Sequence, residues 1–361
     1  MKKKLLSLAL ALTLAVSVFT PATSAYASAT QQEMVTAQEV QFGTPYSVTW
    51  NKQKCWCKLT VPQKGIVGFD IVNPYAELVI DMNLYDANGE CIAAYKTDYD
   101  AVSSARYFGI DAGTYYFEFE TEYGFGVGDT STYSFSFTPN ENCESEPNKS
   151  KVTATPMKVG VEETGYLGGE QQELDATSYN HDEDFYRISL KKGKVYNFYF
   201  SEERHTTIVK LLGKNSNENE TWPSTDADRF CVASGDTFVA PYTGDYYIHV
   251  YNYSFEQYQY TTKVTNVKLD KTSIKSLKSG KSSMNVKWKK VKCNGYQLQY
   301  STRKNFKGAK TLSFAKNSTS ASIKKLSSKK KYYVRIRTCF SVKDGKKAYS
   351  GWSKSKCIKV K

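Results

Sequence analysis

Three consecutive acidic residues, Asp182, Glu183 and Asp184, form the densest group of carboxylates beside a predicted strand. Two carboxylates at a suitable separation can cleave a glycosidic bond, with one acting as the acid and the other as base or nucleophile. An acidic turn solvated by water would have the same composition and no chemistry. The run therefore indicates either a catalytic pair or a solvated turn.

Hydrolysis through a serine or cysteine nucleophile would require a nearby base. The chain has only three histidines: His181, His205 and His249. None lies in a hydrolase motif, no H-E-x-x-H run is present to hold zinc, and Ser234-Gly235 lacks the preceding glycine of a nucleophile elbow. His249 alternates with apolar neighbours, which predicts an outward position with a structural or solvent role. We predict that the chain has no catalytic residues.

Tyrosines provide the remaining side chains with which the chain could recognise a ligand. Residues 113–119 and 244–250 are closely similar, and each stretch contains a Tyr-Tyr pair. Because side chains alternate along a strand, one ring of each pair faces outward. The residues that we predict as a binding surface for a glycan or an extended peptide are Tyr116, Tyr247, His249, Tyr251 and Tyr253. Packing within tyrosine-rich sheets is the alternative role.

Residues 1–27 have the features of a secretory signal peptide. A basic start of three lysines precedes an apolar run over 5–19, and Ala25-Tyr26-Ala27 fits a cleavage site. The apolar run is shorter than the roughly 20 residues that span a bilayer, and no later stretch approaches that length. We therefore predict a secreted, extracellular protein with a flexible N-terminal tail over 28–38 and without a transmembrane anchor.

Charge is strongly segregated along the chain. Residues 266–361 contain 28 Lys and Arg but only Asp270 and Asp344, a local net charge of +26. The whole chain carries +13, so removing this region and the three lysines of the signal peptide leaves −16 for residues 28–265. Such a basic region is either made soluble by its charge or attached by it to an anionic surface. For an exported chain, an anionic cell-wall polymer is the expected partner, and no specific nucleic acid is expected.

Eight cysteines in an exported chain are typical of disulfide-containing proteins. Cys55 and Cys57 alternate with apolar residues, so we predict that both point into a core. Cys143 lies in a polar segment and is the expected free thiol. Cys339 and Cys357 fall on the outward side of neighbouring predicted strands, and we predict a disulfide between them.

Short alternating stretches separated by turns continue from residue 39 to the end, with no helical periodicity between them. Strands at intervals of ~8–12 residues predict antiparallel sandwiches. The signals of residues 39–140 recur over 151–265, with a polar linker at 141–150, and a third unit occupies 266–361. We predict an all-β fold of three tandem antiparallel β-sandwiches, the first two related by an internal repeat.

The second unit resembles a known family of extracellular domains. The residues that carry the resemblance are Glu146-Pro147-Asn148, Ala154-Thr155-Pro156, Gly165-Tyr166-Leu167, Asp182 to Tyr186, Leu190, Gly193 and Gly244 to Ile248. In order and spacing they resemble the bacterial pre-peptidase C-terminal domain, which implies a jelly-roll-like sandwich. Residues 39–140 contain only the later half of this set of motifs and lack the Glu-Pro-Asn and Asp-x-Asp elements. Their resemblance to the family is inferred from their similarity to the second unit.

The same resemblance implies a cofactor. In related sandwiches attached to collagen-degrading enzymes, oxygens of the N-terminal linker and of acidic residues bind calcium. The corresponding ligands here are Glu146, Asn148, Asp182 and Asp184. Carboxylates clustered without histidine suit this ion. No other cofactor is expected.

The third unit carries the strongest resemblance in the chain. Trp288, the strand from Gly295 to Ser301 and Gly351-Trp352-Ser353 resemble a fibronectin type III domain of the kind common in secreted proteins of Gram-positive anaerobes. Leu326 lies six residues before Tyr332. This spacing looks like the tyrosine corner of immunoglobulin-like sandwiches, in which the phenol oxygen bonds back to the upstream chain.

These features predict a non-catalytic extracellular binding or adhesion protein. Its acidic pair of sandwiches would recognise a protein or glycan, and its lysine-rich fibronectin type III domain would contact an anionic cell wall. The first alternative is an extracellular peptidase or glycoside hydrolase, or an accessory subunit of one, because both families commonly accompany enzymes. Against this alternative, the signal peptide and the three predicted domains occupy nearly all of the 361 residues, which leaves no segment large enough for a separate catalytic domain. The second alternative is a structural spacer without a ligand.

Overall fold

The computed structural model describes residues 29, 31–51, 54–97, 102–121, 128–168, 173–175, 178–179, 182–202, 207–216, 229–231, 234–251, 257–342 and 347–361. The predicted signal peptide, His181, His205, Tyr253 and Asp344 lie outside these residues. Among the described residues, no helix has the length and apolar character needed to cross a membrane.

The first sandwich consists of two facing sheets and one short helix. Its elements are α1 (Gln31–Thr36), β1 (Gln38–Val40), β2 (Tyr46–Thr49), β3 (Cys55–Val61), β4 (Gly65–Val72), β5 (Ile80–Tyr85), β6 (Cys91–Lys96), β7 (Ser103–Ile110), β8 (Gly113–Thr121) and β9 (Thr130–Pro139). One sheet has the order β1-β3-β8-β5-β6 and the other β2-β9-β4-β7. Alternate apolar residues of both sheets, including Phe69, Phe117 and Phe135, fill a shared core.

The segment predicted as a flexible tail, residues 28–38, contains α1 and the first residue of β1. Met34 of α1 is buried, and the helix lies against β3. An apolar side chain therefore anchors this part of the N-terminal segment to the first sandwich.

The second sandwich repeats the architecture of the first. Its elements are β10 (Thr155–Met157), β11 (Glu162–Leu167), β12 (Glu173–Asp175), β13 (Ser178–Tyr179), β14 (Glu183–Leu190), β15 (Val195–Glu202), β16 (Ile208–Leu212), β17 (Arg229–Cys231), β18 (Thr237–Val239), β19 (Gly244–Tyr251) and β20 (Tyr258–Asn266). Its sheets have the orders β10-β14-β19-β16-β17 and β11-β20-β15-β18, and β12 pairs with β13. Tyr186, Tyr246 and Tyr260 are fully buried in its core.

The internal repeat is visible in strand pairing as well as in sequence. In each copy the short first strand lies at the edge of one sheet and pairs in parallel with its neighbour. These parallel pairs are β1 with β3 and β10 with β14. All other pairs within these sheets are antiparallel among the described residues. The repeated strands predicted from residues 113–119 and 244–250 are β8 and β19, each a central strand of its sheet.

The third sandwich has one sheet of three strands facing a larger one. Its elements are β21 (Ile274–Gly280), β22 (Ser283–Trp288), β23 (Gly295–Ser301), β24 (Lys310–Ala315), β25 (Ser320–Ile323), β26 (Lys331–Ser341), β27 (Lys347–Tyr349) and β28 (Lys356–Lys359). The sheets have the orders β21-β22-β25 and β24-β23-β26, and both β27 and β28 pair with β26. Trp288 and Tyr296 are buried between them. The predicted all-β fold of three tandem sandwiches is therefore confirmed.

The tyrosine corner predicted in this sandwich is present. The backbone N–H of Ser327 donates a hydrogen bond to the phenol oxygen of Tyr332, with 3.1 Å between the two atoms. Leu326 and Tyr332 are both buried in the core. The bond fixes the chain that enters β26, which is the role expected of this feature.

The predicted disulfide between Cys339 and Cys357 is wrong. Cys339 lies in β26 and Cys357 in the neighbouring strand β28, as predicted, but Cys357 is opposite Tyr333, six residues before Cys339 along β26. Six residues of an extended strand separate the two positions, or about 20 Å. A disulfide requires Cα atoms closer than about 7 Å. Both thiols are free.

Contacts between the first two sandwiches involve the outer edge of β7. The rings of Tyr107 in β7 and Tyr166 in β11 stack with their centroids 5.5 Å apart. The side-chain amide of Gln257 accepts a hydrogen bond from the N–H of Tyr107 at 2.7 Å and donates one to its carbonyl oxygen at 2.9 Å. A single glutamine thus forms both bonds that a neighbouring strand would form at this residue.

Candidate functional site

The segment that connects the first two sandwiches is buried at alternate residues. Glu144 and Asn148 are inaccessible to solvent, and Glu146 is 8% exposed. Backbone bonds hold the segment to both neighbours: the N–H of Glu144 donates to Thr164, and the N–H of Glu146 donates to Gly109. The predicted polar linker at 141–150 therefore connects the two sandwiches as a packed element, with its acidic side chains directed inward.

Four carboxyl groups and one carboxamide meet at this junction. The residues are Glu144, Glu146, Asn148, Asp182 and Asp184, and all five are buried. Carboxylate oxygens of Glu146, Asp182 and Asp184 lie within 4.8 Å of one another. The structure thus brings together all four residues that the family resemblance implied as calcium ligands. We call these five residues the acidic cluster.

The strands around the acidic cluster fix the orientation of its side chains. Oε1 of Glu144 accepts hydrogen bonds from the backbone N–H groups of Tyr166 at 2.9 Å and Gly109 at 3.3 Å. Oδ2 of Asp182 accepts one from the N–H of Gly168 at 2.9 Å. These bonds come from both sandwiches, so the orientation of Glu144 depends on the contact between them.

A buried phenol contacts the cluster from the core of the second sandwich. The Tyr260 hydroxyl donates to Oδ2 of Asp184 at 2.5 Å, and it is also 2.8 Å from the Tyr186 hydroxyl. Both rings are fully buried. Asp184 is therefore anchored by one oxygen, and its other oxygen is directed to the remainder of the cluster.

Within the part of the chain that the structure describes, several polar atoms of the cluster have no hydrogen-bond partner. They are Oε2 of Glu144, Oδ1 of Asp184 and both side-chain polar atoms of Asn148, and all are buried. Such a group costs about 1–3 kcal/mol when its hydrogen-bonding capacity is left unused. Three of these four atoms are oxygens, and buried oxygens gathered in one place are suited to contact a cation.

Burial shifts the acid–base equilibrium of the cluster. It raises the pKa of the Glu144 carboxyl well above its usual range, and the charges of Asp184, Glu146 and Asp182 add to the effect. Burial likewise raises the pKa of Asp184, assisted by the charge of Asp182 and opposed by the hydrogen bond from Tyr260. Crowded buried carboxylates therefore favour protonation unless a cation compensates their charge.

The donor set fits calcium. Calcium prefers six to eight oxygen ligands, and it takes them from carboxylates and amide carbonyls. The cluster offers carboxylate oxygens from four residues and the carbonyl of Asn148, without a nitrogen or sulfur donor. Glu144, Glu146, Asn148, Asp182 and Asp184 would hold the ion, which would supply the positive charge that the cluster lacks.

A glycine is required where the cluster meets the second sandwich. A Cβ atom placed on Gly165 would lie 2.3 Å from the Tyr260 hydroxyl oxygen and 2.6 Å from Oε2 of Glu144. No side chain fits at this distance. Gly165 thus allows the connecting segment and the core phenol to approach each other across β11.

The interpretation of Asp182 and Asp184 as a solvated turn is wrong. Asp182 is 4% exposed and Asp184 is not exposed, because the connecting segment covers them. Glu183, the residue between them, is partly exposed and is on the opposite side of β14. This burial also separates the two aspartates from any sugar ring in solution, which argues against a catalytic pair.

Sequence reasoning missed Glu144. The residue precedes Glu146 by two positions and Asn148 by four, and side chains at this spacing lie on one side of an extended segment. The spacing was available in the sequence. The resemblance implied ligands only from Glu146 onward, so the third member of this alternating set was not included.

The predicted outward face of β19 is occupied by a second, smaller cluster. His249 is on the side opposite the core residues Ile248 and Val250, as alternation predicts, but it is only 3% exposed. Its ring stacks between Phe185 and Tyr251, with centroid separations of 4.2 Å and 4.7 Å. His249 therefore has the predicted side of the strand and the structural one of its two predicted roles, but its burial does not fit its predicted place on a binding surface.

A hydrogen-bonded carboxylate completes this cluster. Nε2 of His249 lies 2.8 Å from Oε2 of Glu183, the residue between the two buried aspartates. Tyr251 is also buried, at 9% exposure, with the Lys210 ammonium above its ring. These contacts give His249 and Tyr251 structural roles and remove them from the predicted binding surface.

Two of the predicted surface tyrosines are partly exposed. Tyr116 in β8 and Tyr247 in β19 occupy equivalent positions of the repeat, opposite Lys58 and Arg187 respectively. The Tyr247 ring packs beside Phe185 and Leu212, and the Lys151 ammonium lies 5.5 Å from its centroid. Tyr116 and Tyr247 stay as the predicted binding residues that the structure describes.

No family model and no curated protein matches this chain. Solved structures give partial matches, each of which covers 26% of this chain. The fn3 domain of human contactin 1 matches with 17% identity over 77% of its own chain and a TM-score of 0.23, and a redesigned β-sandwich protein matches with 20% identity over 91% of its chain and a TM-score of 0.22. The FN3 domain of human collagen XX matches with 13% identity over 93% of its chain and a TM-score of 0.21. The tyrosine corner and strand order of β21–β28 are those of a fibronectin type III-like sandwich.

Proposed function

We propose that the chain is a non-catalytic extracellular binding protein in which calcium joins two acidic sandwiches into one binding unit. The acidic cluster carries this proposal. Its members come from the connecting segment and from the start of β14 with the residue before it, and Glu144 also accepts a bond from Gly109 in the first sandwich. An ion held by these groups would stabilise the second sandwich and its contact with the first at the same time.

The binding unit, residues 28–265, would recognise a protein or glycan outside the cell. Tyr116 and Tyr247 occupy equivalent positions on the outward sides of their sheets, and each presents a partly exposed ring. The basic sandwich, residues 266–361, would hold the unit at an anionic cell-wall polymer. The opposite net charges of the two parts support this division, since the acidic part would be repelled by such a polymer.

Calcium dependence is tested by thermal unfolding of residues 28–361. We expect calcium at millimolar concentration to raise the Tm by about 5–10 °C relative to chelator, because an ion present at 100 times its Kd stabilises by about 2.7 kcal/mol. Asp184→Asn should reduce this shift to below about 2 °C. Glu118→Gln is the matched control, because it neutralises another buried carboxylate, one that contacts Asn83 and Tyr85 within the first sandwich. An unchanged Tm in the unsubstituted chain would contradict the calcium proposal.

Wall contact is tested by sedimentation of residues 28–361 with purified Gram-positive cell walls. We expect binding at about 50 mM salt and its loss at about 500 mM, because screening weakens contacts between exposed charges. A glycan and matrix-protein array then tests the acidic pair, with Tyr116→Ala and Tyr247→Ala as variants. Absence of binding to every ligand on the array would favour the spacer alternative, and binding to walls without salt dependence would exclude a charge-driven contact.

A further inference from the structure

Five side chains form a continuous stack on the outward side of the third sandwich. In order they are Phe306, Arg335, Trp352, Arg337 and Tyr349. The Arg335 guanidinium lies 4.2 Å and 4.4 Å from the two ring centroids beside it, and that of Arg337 lies 4.3 Å and 4.0 Å from its own pair. Aromatic rings attract cations at these distances. We call these five residues the arginine stack.

Two glutamines of β23 hold the guanidinium groups from the side. Nε and Nη2 of Arg335 donate to Oε1 of Gln299 at 3.0 Å and 2.7 Å, and the same atoms of Arg337 donate to Oε1 of Gln297 at 2.8 Å and 2.6 Å. Glutamine carries no charge. Because a guanidinium has five N–H donors, three stay available on each arginine.

Among the described residues, no carboxylate compensates the positive charge of the arginine stack. Neither Arg335 nor Arg337 forms a salt bridge within the described part of the chain, and residues 266–361 contain only two acidic residues. Burial lowers the pKa of both guanidinium groups, and the charge of each lies near the other. Partly buried cations without a counter-ion are favourable positions for an anion from outside the chain.

The composition of this sandwich makes the two arginines distinctive. Of its 28 basic residues only three are arginines, and two of these belong to the stack. Lysine provides a mobile point charge, whereas arginine provides a planar fork that matches the oxygens of a phosphate group. Lys331 lies on the same side of β26, and Lys359 is opposite it in β28, so the cationic row continues along the strand.

We propose that the arginine stack is the site at which the third sandwich binds a phosphate polymer. Successive phosphate groups would accept hydrogen bonds from the available N–H groups of Arg335 and Arg337, which are about 7 Å apart along the strand as alternate residues. The stack holds both guanidinium groups in place before binding, which reduces the conformational entropy lost on association. This inference rests on the proposed wall contact and names its binding site.

The test measures the affinity of residues 28–361 for immobilised long-chain polyphosphate at two salt concentrations. We expect Arg335→Gln with Arg337→Gln to weaken binding at least ~10-fold and to reduce the slope of log Kd against log salt by about 1–2. Lys278→Gln with Lys287→Gln is the matched control, because it removes the same charge from exposed positions of β21 and β22. The control should weaken binding by no more than ~3-fold.

A charge-preserving variant separates the stack from general attraction to the basic surface. Arg335→Lys with Arg337→Lys should lose nearly as much affinity as the glutamine variant, since lysine cannot form the fork. Wild-type affinity in this variant, or equal losses in the glutamine variant and the control, would overturn the inference while leaving charge-driven wall contact intact. Failure of the unsubstituted chain to bind polyphosphate would also overturn the inference, whereas the sedimentation test with cell walls decides separately on the wall contact. A Tm within about 3 °C of the unsubstituted chain confirms that each variant is folded.

Discussion

The first and second sandwiches have the same strand order. The pair β3–β8 of the first has the same register as the pair β14–β19 of the second, but the residues at the start of β3 and β14 differ in chemistry. Cys55 in β3 and Asp184 in β14 occupy equivalent positions, opposite Phe119 and Val250. Cys55 packs against an apolar core, whereas Asp184 belongs to the acidic cluster. One backbone arrangement therefore supports either an apolar sheet end or an anionic one.

A second pair of equivalent positions has its charges reversed. In the first sandwich the Lys54 ammonium contacts Glu118, and in the second Glu183 contacts His249. Each pair lies beside an aromatic residue at matching register, Trp56 or Phe185. Both copies of the repeat thus have a polar pair at the same place. The carboxylate is on β8 in the first copy and on β14, the other strand of the pair, in the second. Strand pairing fixes the location, and the side chains decide the chemistry.

The largest effect is expected from moving the aspartate between the two copies. Cys55→Asp should destabilise the first sandwich by about 2–3 kcal/mol, because it places a carboxylate at a partly buried position against an apolar core. Cys55→Ser is the control for loss of the thiol and should cost less. Urea unfolding measures both. A loss below about 1 kcal/mol for Cys55→Asp would mean that the first sandwich can also hold a buried anion at this end.

The next effect concerns close packing around the acidic cluster. Gly165→Ala should destabilise the second sandwich by about 2–3 kcal/mol and weaken its stabilisation by calcium, because the new methyl group collides with Tyr260 and Glu144. Thr164→Ala on the same strand, with a partly exposed side chain, is the control and should change the Tm little. Calorimetry with and without calcium measures both the loss of stability and the stabilisation by calcium. An unaltered stabilisation by calcium in Gly165→Ala would exclude Glu144 from the ligand set.

A smaller difference is expected between the two charge-reversed pairs. Glu118 is 2% exposed and accepts hydrogen bonds from Asn83 and Tyr85 in addition to Lys54, whereas Glu183 is 41% exposed. Glu118→Gln should therefore cost about 2 kcal/mol and Glu183→Gln less than about 1 kcal/mol. Chemical denaturation of both variants checks the order. Equal costs would show that solvent exposure does not distinguish the two pairs.

The smallest effect is a pH dependence specific to the second sandwich. Burial raises the pKa of Glu163 in β11 from its ordinary value of 4.5 to about 7, and the nearby Lys64 and Lys158 only partly oppose this shift. The unfolded chain ionises at lower pH than the folded one, so stability declines as the pH rises from about 4.5 to about 7. With calcium saturating, Glu163→Gln should remove about 1 kcal/mol of this decline after allowance for solvent screening. Identical pH profiles of the two proteins would contradict the shift.

Alternation in the sequence was sufficient to predict the fold but not what covers each face. Cys57 and Leu59 point into the core as predicted, and the spacing of Leu326 and Tyr332 predicted the tyrosine corner. His249 is on the predicted face, yet Phe185 from the neighbouring strand covers it. Period-two patterns assign a side chain to a face, whereas its exposure depends on residues from other strands.

The second limit on prediction from the sequence was the register between strands that are distant in the chain. Cys339 and Cys357 have the predicted parity, but the positions at which β27 and β28 pair with β26 are not encoded in local spacing. The arginine stack was missed for a similar reason, since Phe306 and Trp352 reach it from outside the strands. In the acidic cluster the family resemblance supplied four residues, and only the packing of the connecting segment added Glu144.

The paired bonds of Gln257 have a consequence for solubility. Strand β7 is an edge of its sheet, and its outward backbone groups at Tyr107 and Gly109 are satisfied by Gln257, Glu144 and Glu146. An uncovered edge of this kind can recruit a strand from another molecule. The second sandwich thus acts as an intramolecular shield against self-association of the first, and separation of the two would expose a surface prone to aggregation.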